Sequence, residues 1–226
     1  MLKGMPQLPL ALPPEEGFGA RDFVVSAPNL DAFTRLQSWP GPDGGATALI
    51  GPAGVGKSHL AALWSVRTGA RTVDAREPFD ALDLDDRPLL VEHADGGFAD
   101  ATLFHLINLG RRRGCALLIT ARTPPAAWAT ALPDLRSRLN ALPVLTLEAP
   151  DDAVLEGMLQ RFFRRRRILP SQELLAYLVR RIDRSAEAAE EAVARLDAEA
   201  AAKGKPVGRK LARKLFGEDG TADLFE

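Results

Sequence analysis

A chain of 226 residues fits one large domain, or a core with a small second domain, and an apolar fraction of 46% is ample for a buried interior. With 29 basic against 30 acidic residues there is no global positive field to draw nucleic acid, so such binding needs a local patch; a lone cysteine, Cys115, excludes a disulfide within the chain and reads as a buried core residue in a reducing compartment. No apolar run reaches membrane-spanning length, and the start Met1-Leu2-Lys3-Gly4 lacks the long apolar segment of a secretory signal, so a cytoplasmic protein without membrane contact is expected.

Residues 1–17 hold four prolines and no helical or strand period, so they are expected to form an extended tail, either idle or a peptide ligand. Asn29 to Trp39 fits an amphipathic helix, and Pro40-Gly41-Pro42-Asp43-Gly44-Gly45 a loop. Thr47-Ala48-Leu49-Ile50 is a short buried-strand run. It leads into Gly51-Pro52-Ala53-Gly54-Val55-Gly56-Lys57-Ser58, a complete G-x-x-x-x-G-K-S loop, and His59 to Trp64 behind it has helical spacing. In such a loop the glycines let backbone N–H groups turn inward around a phosphate, and the helix N-terminus adds its positive end. Lys57 supplies a point charge and Ser58 a hydroxyl for Mg²⁺. Residues 51–59 are therefore the expected nucleotide site, for ADP or ATP.

Further buried-strand runs are Arg71-Thr72-Val73, Pro88-Leu89-Leu90-Val91, Ala116-Leu117-Leu118-Ile119-Thr120 and Val144-Leu145-Thr146-Leu147. Helical segments separate most of them, notably Ala99 to Arg113, where Leu103, Leu106, Ile107 and Gly110 share a face. Near-continuous apolar strands alternating with helices predict an α/β fold with a parallel sheet covered on both sides, over residues 18–150. After Pro150 no strand is expected. Three amphipathic helices, near Asp152–Arg166, Ser171–Arg181 and Ala186–Lys203, predict a small all-helical lid over residues 151–216. Leu155, Met158, Leu159 and Phe162 form one apolar face of it, and Leu174, Leu175, Leu178 and Ile182 another. From Gly204 the chain reads as a tail with Lys205, Arg209, Lys210, Arg213 and Lys214, ending in the acidic, flexible residues 217–226.

Hydrolysis at a phosphate loop needs an acid at the end of a neighbouring buried strand to hold Mg²⁺, and usually a second acid to orient water. The candidate is Leu89-Leu90-Val91-Glu92-His93. Glu92 can serve the metal through water, or merely cap a strand; His93 stands where the second acid is expected and brings no fixed negative charge. Self-hydrolysis is expected to be slow or absent.

Taken together, several segments resemble the AAA+ core of the bacterial initiator DnaA. They are Phe23-Val24-Val25 with Asn29, the phosphate loop, Glu92-His93, Leu118-Ile119-Thr120-Ala121-Arg122-Thr123-Pro124-Pro125, Leu132-Pro133-Asp134-Leu135-Arg136-Ser137-Arg138-Leu139, and Leu169-Pro170. A counterpart of the initiator's C-terminal DNA-binding domain is not expected. A DnaA-like P-loop AAA+ sheet domain with a helical lid, preceded by a short Gln-Leu-rich tail, resembles the Hda group of DnaA-related regulators, which switch the initiator off. The resemblance covers about residues 7–216 and implies a clamp-associated negative regulator of replication initiation.

Within it, Gln7-Leu8-Pro9-Leu10-Ala11-Leu12 is similar to the Q-L-x-L-x-L peptide that docks on the β sliding clamp of DNA polymerase III. Leu10 and Leu12 are suited to an apolar pocket and the Gln7 amide to its rim, Leu8 belongs to the same motif, and the prolines, Pro9 among them, keep the peptide extended. The C-terminal Ala222-Asp223-Leu224-Phe225 is a lesser candidate for the same role. Arg138 matches the family's arginine finger, which reaches the γ-phosphate bound in a neighbouring subunit, and Arg136 reads as a surface arginine. The sensor 1 position corresponds to Arg122 and the sensor 2 arginine to Glu187, with Arg184 three positions away. Such a protein is expected to hold ADP with Mg²⁺ and act on ATP bound by DnaA, contacting DNA only indirectly; dimerisation is left open. An adaptor with Arg138 idle, or a helicase-loader-like ATPase, are the alternatives. Arg164-Arg165-Arg166-Arg167 reads as a solvated helix end, with a DNA contact as its other reading.

Overall fold

The computed structural model describes residues 23–40, 44–81, 84–111 and 115–217. The expected clamp-docking residues Gln7, Leu8, Pro9, Leu10 and Leu12 lie outside these, as does the Ala222–Phe225 candidate. In chain order the elements are α1 (Leu30–Ser38), β1 (Gly45–Ile50), α2 (Lys57–Thr68), β2 (Arg71–Thr72), β3 (Leu89–Val91), α3 (Asp100–Gly110), β4 (Ala116–Ala121), α4 (Pro133–Asn140), β5 (Val144–Thr146), α5 (Asp152–Arg165), α6 (Gln172–Val179), α7 (Ala186–Lys203) and α8 (Arg209–Phe216). Short 3₁₀ turns intervene at Phe79–Ala81, Ala94–Gly96 and Pro125–Ala127.

The five strands form one parallel sheet in the order β2-β3-β4-β1-β5. Alternation along each strand feeds two apolar layers. Ala46, Ala48 and Ile50 of β1, Leu89 and Val91 of β3, and Leu117, Ile119 and Ala121 of β4 join the layer of α3 and α4, with Leu103, Leu106, Ile107, Leu135 and Leu139. Leu49, Leu90, Leu118 and Leu145 point the other way, to Ala32 and Leu36 of α1 and Leu60, Ala61 and Trp64 of α2. Burial on both faces explains why the strands read as unbroken apolar runs. Trp64 stacks on Trp39 at 5.3 Å and donates its indole N–H to the Trp39 carbonyl at 3.1 Å, and Cys115 is buried beside β4.

Among the described residues no strand follows β5. Asp151, Ser171 and Ser185 cap α5, α6 and α7, accepting from the backbone N–H of Val154, Leu174 and Ala188. Their apolar faces close a separate lid core around Leu155, Leu159, Phe163, Leu174, Leu178, Val193 and Leu196. The stretch read as a basic tail contains a fourth lid helix: α8 buries Leu211 and Ala212 in that core. Four cations in its eight residues had hidden the apolar period. No helix among the described residues is long and apolar enough to cross a membrane.

Candidate functional site

At the C-terminal end of β1 the chain turns through Gly51, Gly54 and Gly56, with φ of 153°, 70° and 99°, before entering α2. These values suit glycine alone, and space adds a second constraint. A Cβ on Gly51 would run into the Leu147 carbonyl, and one on Gly54 would sit 2.9 Å from the Ala186 nitrogen. No acid lies in the first turn of α2, so nothing opposes the positive end of its dipole. Lys57 is buried and curls over the loop, its Nζ donating to the carbonyls of Gly51 at 2.7 Å and Pro52 at 2.6 Å. Burial, and then the charge of Arg122, hold its ammonium below the usual lysine range, with Asp95 opposing.

The loop forms one wall of a cleft of about 570 Å³. Residues 23–29, α5 and the start of α7 supply the others. One end is apolar. Phe23, Val24, Val154, Met158 and Phe162 line it, and Phe23 stacks on Phe33 at 5.6 Å while meeting the His59 ring edge-on at 5.2 Å. Asn29, itself buried, folds this segment by donating to the Val24 carbonyl at 2.9 Å and accepting from the Ser26 N–H at 3.0 Å. Ser26 donates its hydroxyl to Asp151, and this bond, with the Val154 N–H second, holds the Asp151 carboxyl below the usual carboxylate range. Gly157 of α5 packs where no Cβ fits against Val24. The result is a wall suited to a planar base, a role that the sequence analysis did not assign to Phe23, Val24 or Asn29.

The rest of the lining is largely charged. Lys57 and Arg122 face it from the sheet domain, Arg161, Arg164 and Arg165 from α5, and Glu187 and Glu190 from α7. Arg161 places Nη1 3.3 Å from Nδ1 of His59, directly behind the phosphate loop. The arginine run is thus divided: Arg164 and Arg165 line the cleft, whereas Arg166 pairs with Asp197 at 3.3 Å. Steps of three and four from Val154 through Met158 and Arg161 to Arg165 were the available signal. All four arginines are exposed at the end of α5, as the default reading has it, and Arg164 and Arg165 border the cleft as well.

The lid touches the loop directly, the Ala186 N–H donating to the Gly54 carbonyl at 3.0 Å. Glu187 consequently stands beside the phosphate loop. Arg184 is engaged elsewhere, bonded to the Pro150 carbonyl at 3.1 Å and Asp152 at 2.5 Å. His93, in the left-handed region at φ 54°, lines the cleft and donates its N–H to the Thr120 hydroxyl at 3.1 Å. Glu92 does not line the cleft. It borders an adjoining hollow with Thr72, Asp74 and Arg76, and its Oε1 is the one buried side-chain polar atom left without a hydrogen-bond partner among the described residues. Of the residues expected to serve Mg²⁺, Ser58 therefore faces the cleft, while Glu92 keeps an uncommitted acceptor next door; the pair fits an ion held mainly by phosphates and Ser58, with Glu92 in an outer position.

Arg138 lies on α4, outside its own chain's cleft, and forms no hydrogen bond or ion pair among the described residues. Arg136 differs. It donates to the carbonyls of Ala126 at 3.0 Å and Trp128 at 2.7 Å, anchoring α4, and is not the surface arginine expected.

No protein-family model matches the chain, and no curated protein is similar to it in sequence. Solved structures are similar in fold. Domain III of the replication initiation protein DnaA from Thermotoga maritima superimposes with a TM-score of 0.69 at 19% identity, over 89% of this chain and 97% of that one. AMPPCP-bound DnaA from Aquifex aeolicus gives 0.59 at 15%, over 78% and 64%, and the RuvB Holliday junction branch migration motor of Thermotoga maritima 0.63 at 15%, over 86% and 69%. At such identities the likeness establishes architecture alone: the chain has the AAA+ fold of these structures, a P-loop parallel-sheet domain with a helical lid.

Proposed function

We propose that the chain is an ADP-binding, sliding-clamp-associated negative regulator of replication initiation, of the Hda type, that stimulates ATP hydrolysis by the DnaA initiator in trans. The observation that carries this reading is Arg138: an uncommitted guanidinium two residues from an anchored one, on a surface helix away from the chain's own phosphate loop. A cation placed so does not line its own chain's cleft and is open to a neighbour's nucleotide. Delivered to the initiator's γ-phosphate, it stabilises the charge spread over the transferring phosphoryl oxygens as water attacks and ADP leaves, an effect worth roughly 10³–10⁵ in rate.

In the chain's own cleft, Lys57 and the loop amides hold phosphates and the Phe23 wall holds adenine; Mg²⁺, where bound, neutralises phosphate charge beside Ser58. Two features favour ADP retained over ATP turned over. His93 stands in place of a second acid, and Glu187 and Glu190 face the phosphate end where a γ-phosphate meets repulsion. Docking through Gln7–Leu12 brings Arg138 to initiators near a clamp loaded on DNA.

The test is hydrolysis of initiator-bound ATP in the presence of this protein and clamp-loaded DNA, with and without clamp. Clamp-dependent stimulation is expected, lost in Arg138→Ala and in a variant lacking residues 1–12, both of which keep nucleotide binding. Full stimulation by Arg138→Ala removes the finger assignment. No stimulation despite clamp binding reduces the protein to an adaptor.

A further inference from the structure

From Lys203 to Lys214 the chain carries six cations and no acid, within a protein of net charge −1. Such an imbalance in a tail would mean little; here it is built on a docked helix. Leu211 and Ala212 fix α8 in the lid core, and Lys205, Arg209, Lys210, Arg213 and Lys214 are left exposed. Lys203 pairs with Glu199, and Arg209 reaches Glu173 at 3.7 Å. Lys205, Lys210, Arg213 and Lys214 form no ion pair among the described residues.

Helix stability does not account for the arrangement. Lys203 and Lys205 flank the C-terminus of α7, where cations complement the dipole. Arg209 and Lys210, however, occupy the first turn of α8, where cations oppose it, and that turn holds no acid. The cations also converge. Direct contact with the Lys214 side chain, then burial, then the charges of Lys214 and Lys205 hold the Lys203 ammonium below the usual lysine range, despite its Glu199 partner. Like charges gathered without counter-charges are relieved by an anion spanning several of them. The face lacks an open aromatic platform for bases, since the Phe216 ring is covered by the Arg195 guanidinium and the Tyr177 ring by that of Arg181, each at 5.0 Å.

We propose that the lid face formed by Lys203, Lys205, Lys210, Arg213 and Lys214 binds the phosphate backbone of duplex DNA without reading its sequence. The face is separate from the nucleotide cleft and rests on neither the clamp nor the initiator reading. It complements them by laying the protein against the duplex that a loaded clamp encircles.

Anisotropy of a labelled duplex of about 20 base pairs, titrated with the full chain alone over roughly 25–200 mM salt, tests this without clamp or initiator. Binding is expected to weaken linearly on a double-logarithmic plot, with a slope of about 0.9 per phosphate engaged and equal affinity for a scrambled duplex. The triple variant Lys205→Ala, Lys210→Ala, Lys214→Ala is expected to lose at least about tenfold in affinity and to flatten the slope by about 2–3. A charge-matched control, Arg35→Ala, Arg76→Ala, Arg87→Ala, on exposed arginines of the sheet domain, is expected to change neither. The proposal is overturned by an absence of salt-dependent binding, by a triple variant that binds like wild type, or by tighter binding of the single strand. Binding that emerges only after removal of residues 218–226 overturns it too, because the chain's own acidic end is then the occupant.

Discussion

Two arginines separated by one serine differ in their surroundings because successive helical positions turn by about 100°, so residues two apart point to nearly opposite sides. On α4 this turns Arg136 inward, onto the carbonyls of Ala126 and Trp128, and leaves Arg138 without a partner among the described residues. Removing Arg136 leaves the part-buried carbonyl of the buried Trp128 without its donor, while the exposed Ala126 carbonyl turns to water. Arg136→Ala is expected to cost about 1–3 kcal/mol of stability, whereas Arg138→Ala stays within about 0.5 kcal/mol of wild type in urea unfolding. Equal losses would give Arg138 a structural duty that its surroundings do not show. The spacing Arg-Ser-Arg carried no sign of which residue does what, since both are plausible on an exposed helix. The phosphate loop was legible for the opposite reason: positive φ at Gly51, Gly54 and Gly56, and at the first two a carbonyl or amide where a side chain would stand, favour one residue type.

At the scale of elements, α3 sits unusually close to the sheet. A Cβ on Gly110 would stand 2.8 Å from that of Leu117 and 3.0 Å from the Gly45 carbonyl, so helix and strand touch backbone to backbone. Gly110→Ala gains about 1 kcal/mol of helix propensity but forces α3 off β4 and β1. A net destabilisation of about 1–2 kcal/mol is expected by denaturant midpoint, and a stabilised variant would mean that α3 has freedom to shift. The strands and the longer helices were legible because burial dictates their period: two-sided burial makes β1, β3 and β4 continuous apolar runs, and one-sided burial gives α5 and α6 their spaced leucines. α8 was not legible. Its eight residues cannot hold a helix alone and depend on docking against α6 and α7, a tertiary cause absent from the local pattern. The part played by α5 in the cleft escaped for a related reason, since Arg161, Arg164 and Arg165 acquire a site only once the lid folds over the loop.

For the molecule as a whole, the cleft is a joint between sheet domain and lid, and its charge depends on how the two meet. The Ala186 N–H on the Gly54 carbonyl fixes the first turn of α7 beside the phosphate loop, which places the Glu187 carboxylate where phosphate charge accumulates. At that position Glu187 helps the fold slightly, because an acid in the first turn of α7 favours the helix dipole. It opposes each added phosphate. Glu187→Gln is therefore expected to lose a few tenths of a kcal/mol in stability while binding ATP about 5–10 times more tightly, with a smaller gain for ADP, as read by calorimetric titration of both nucleotides. An equal gain for the two places the carboxylate near the shared α- and β-phosphates; no gain for either removes it from the electrostatics of the site. Arg161, which reaches His59 from α5, carries the other sign, so the two lid helices bring charges of opposite effect to any phosphate held in the cleft. On the proposed function, this arrangement ties sheet domain and lid together through a spent nucleotide and leaves Arg138 for a neighbour's site.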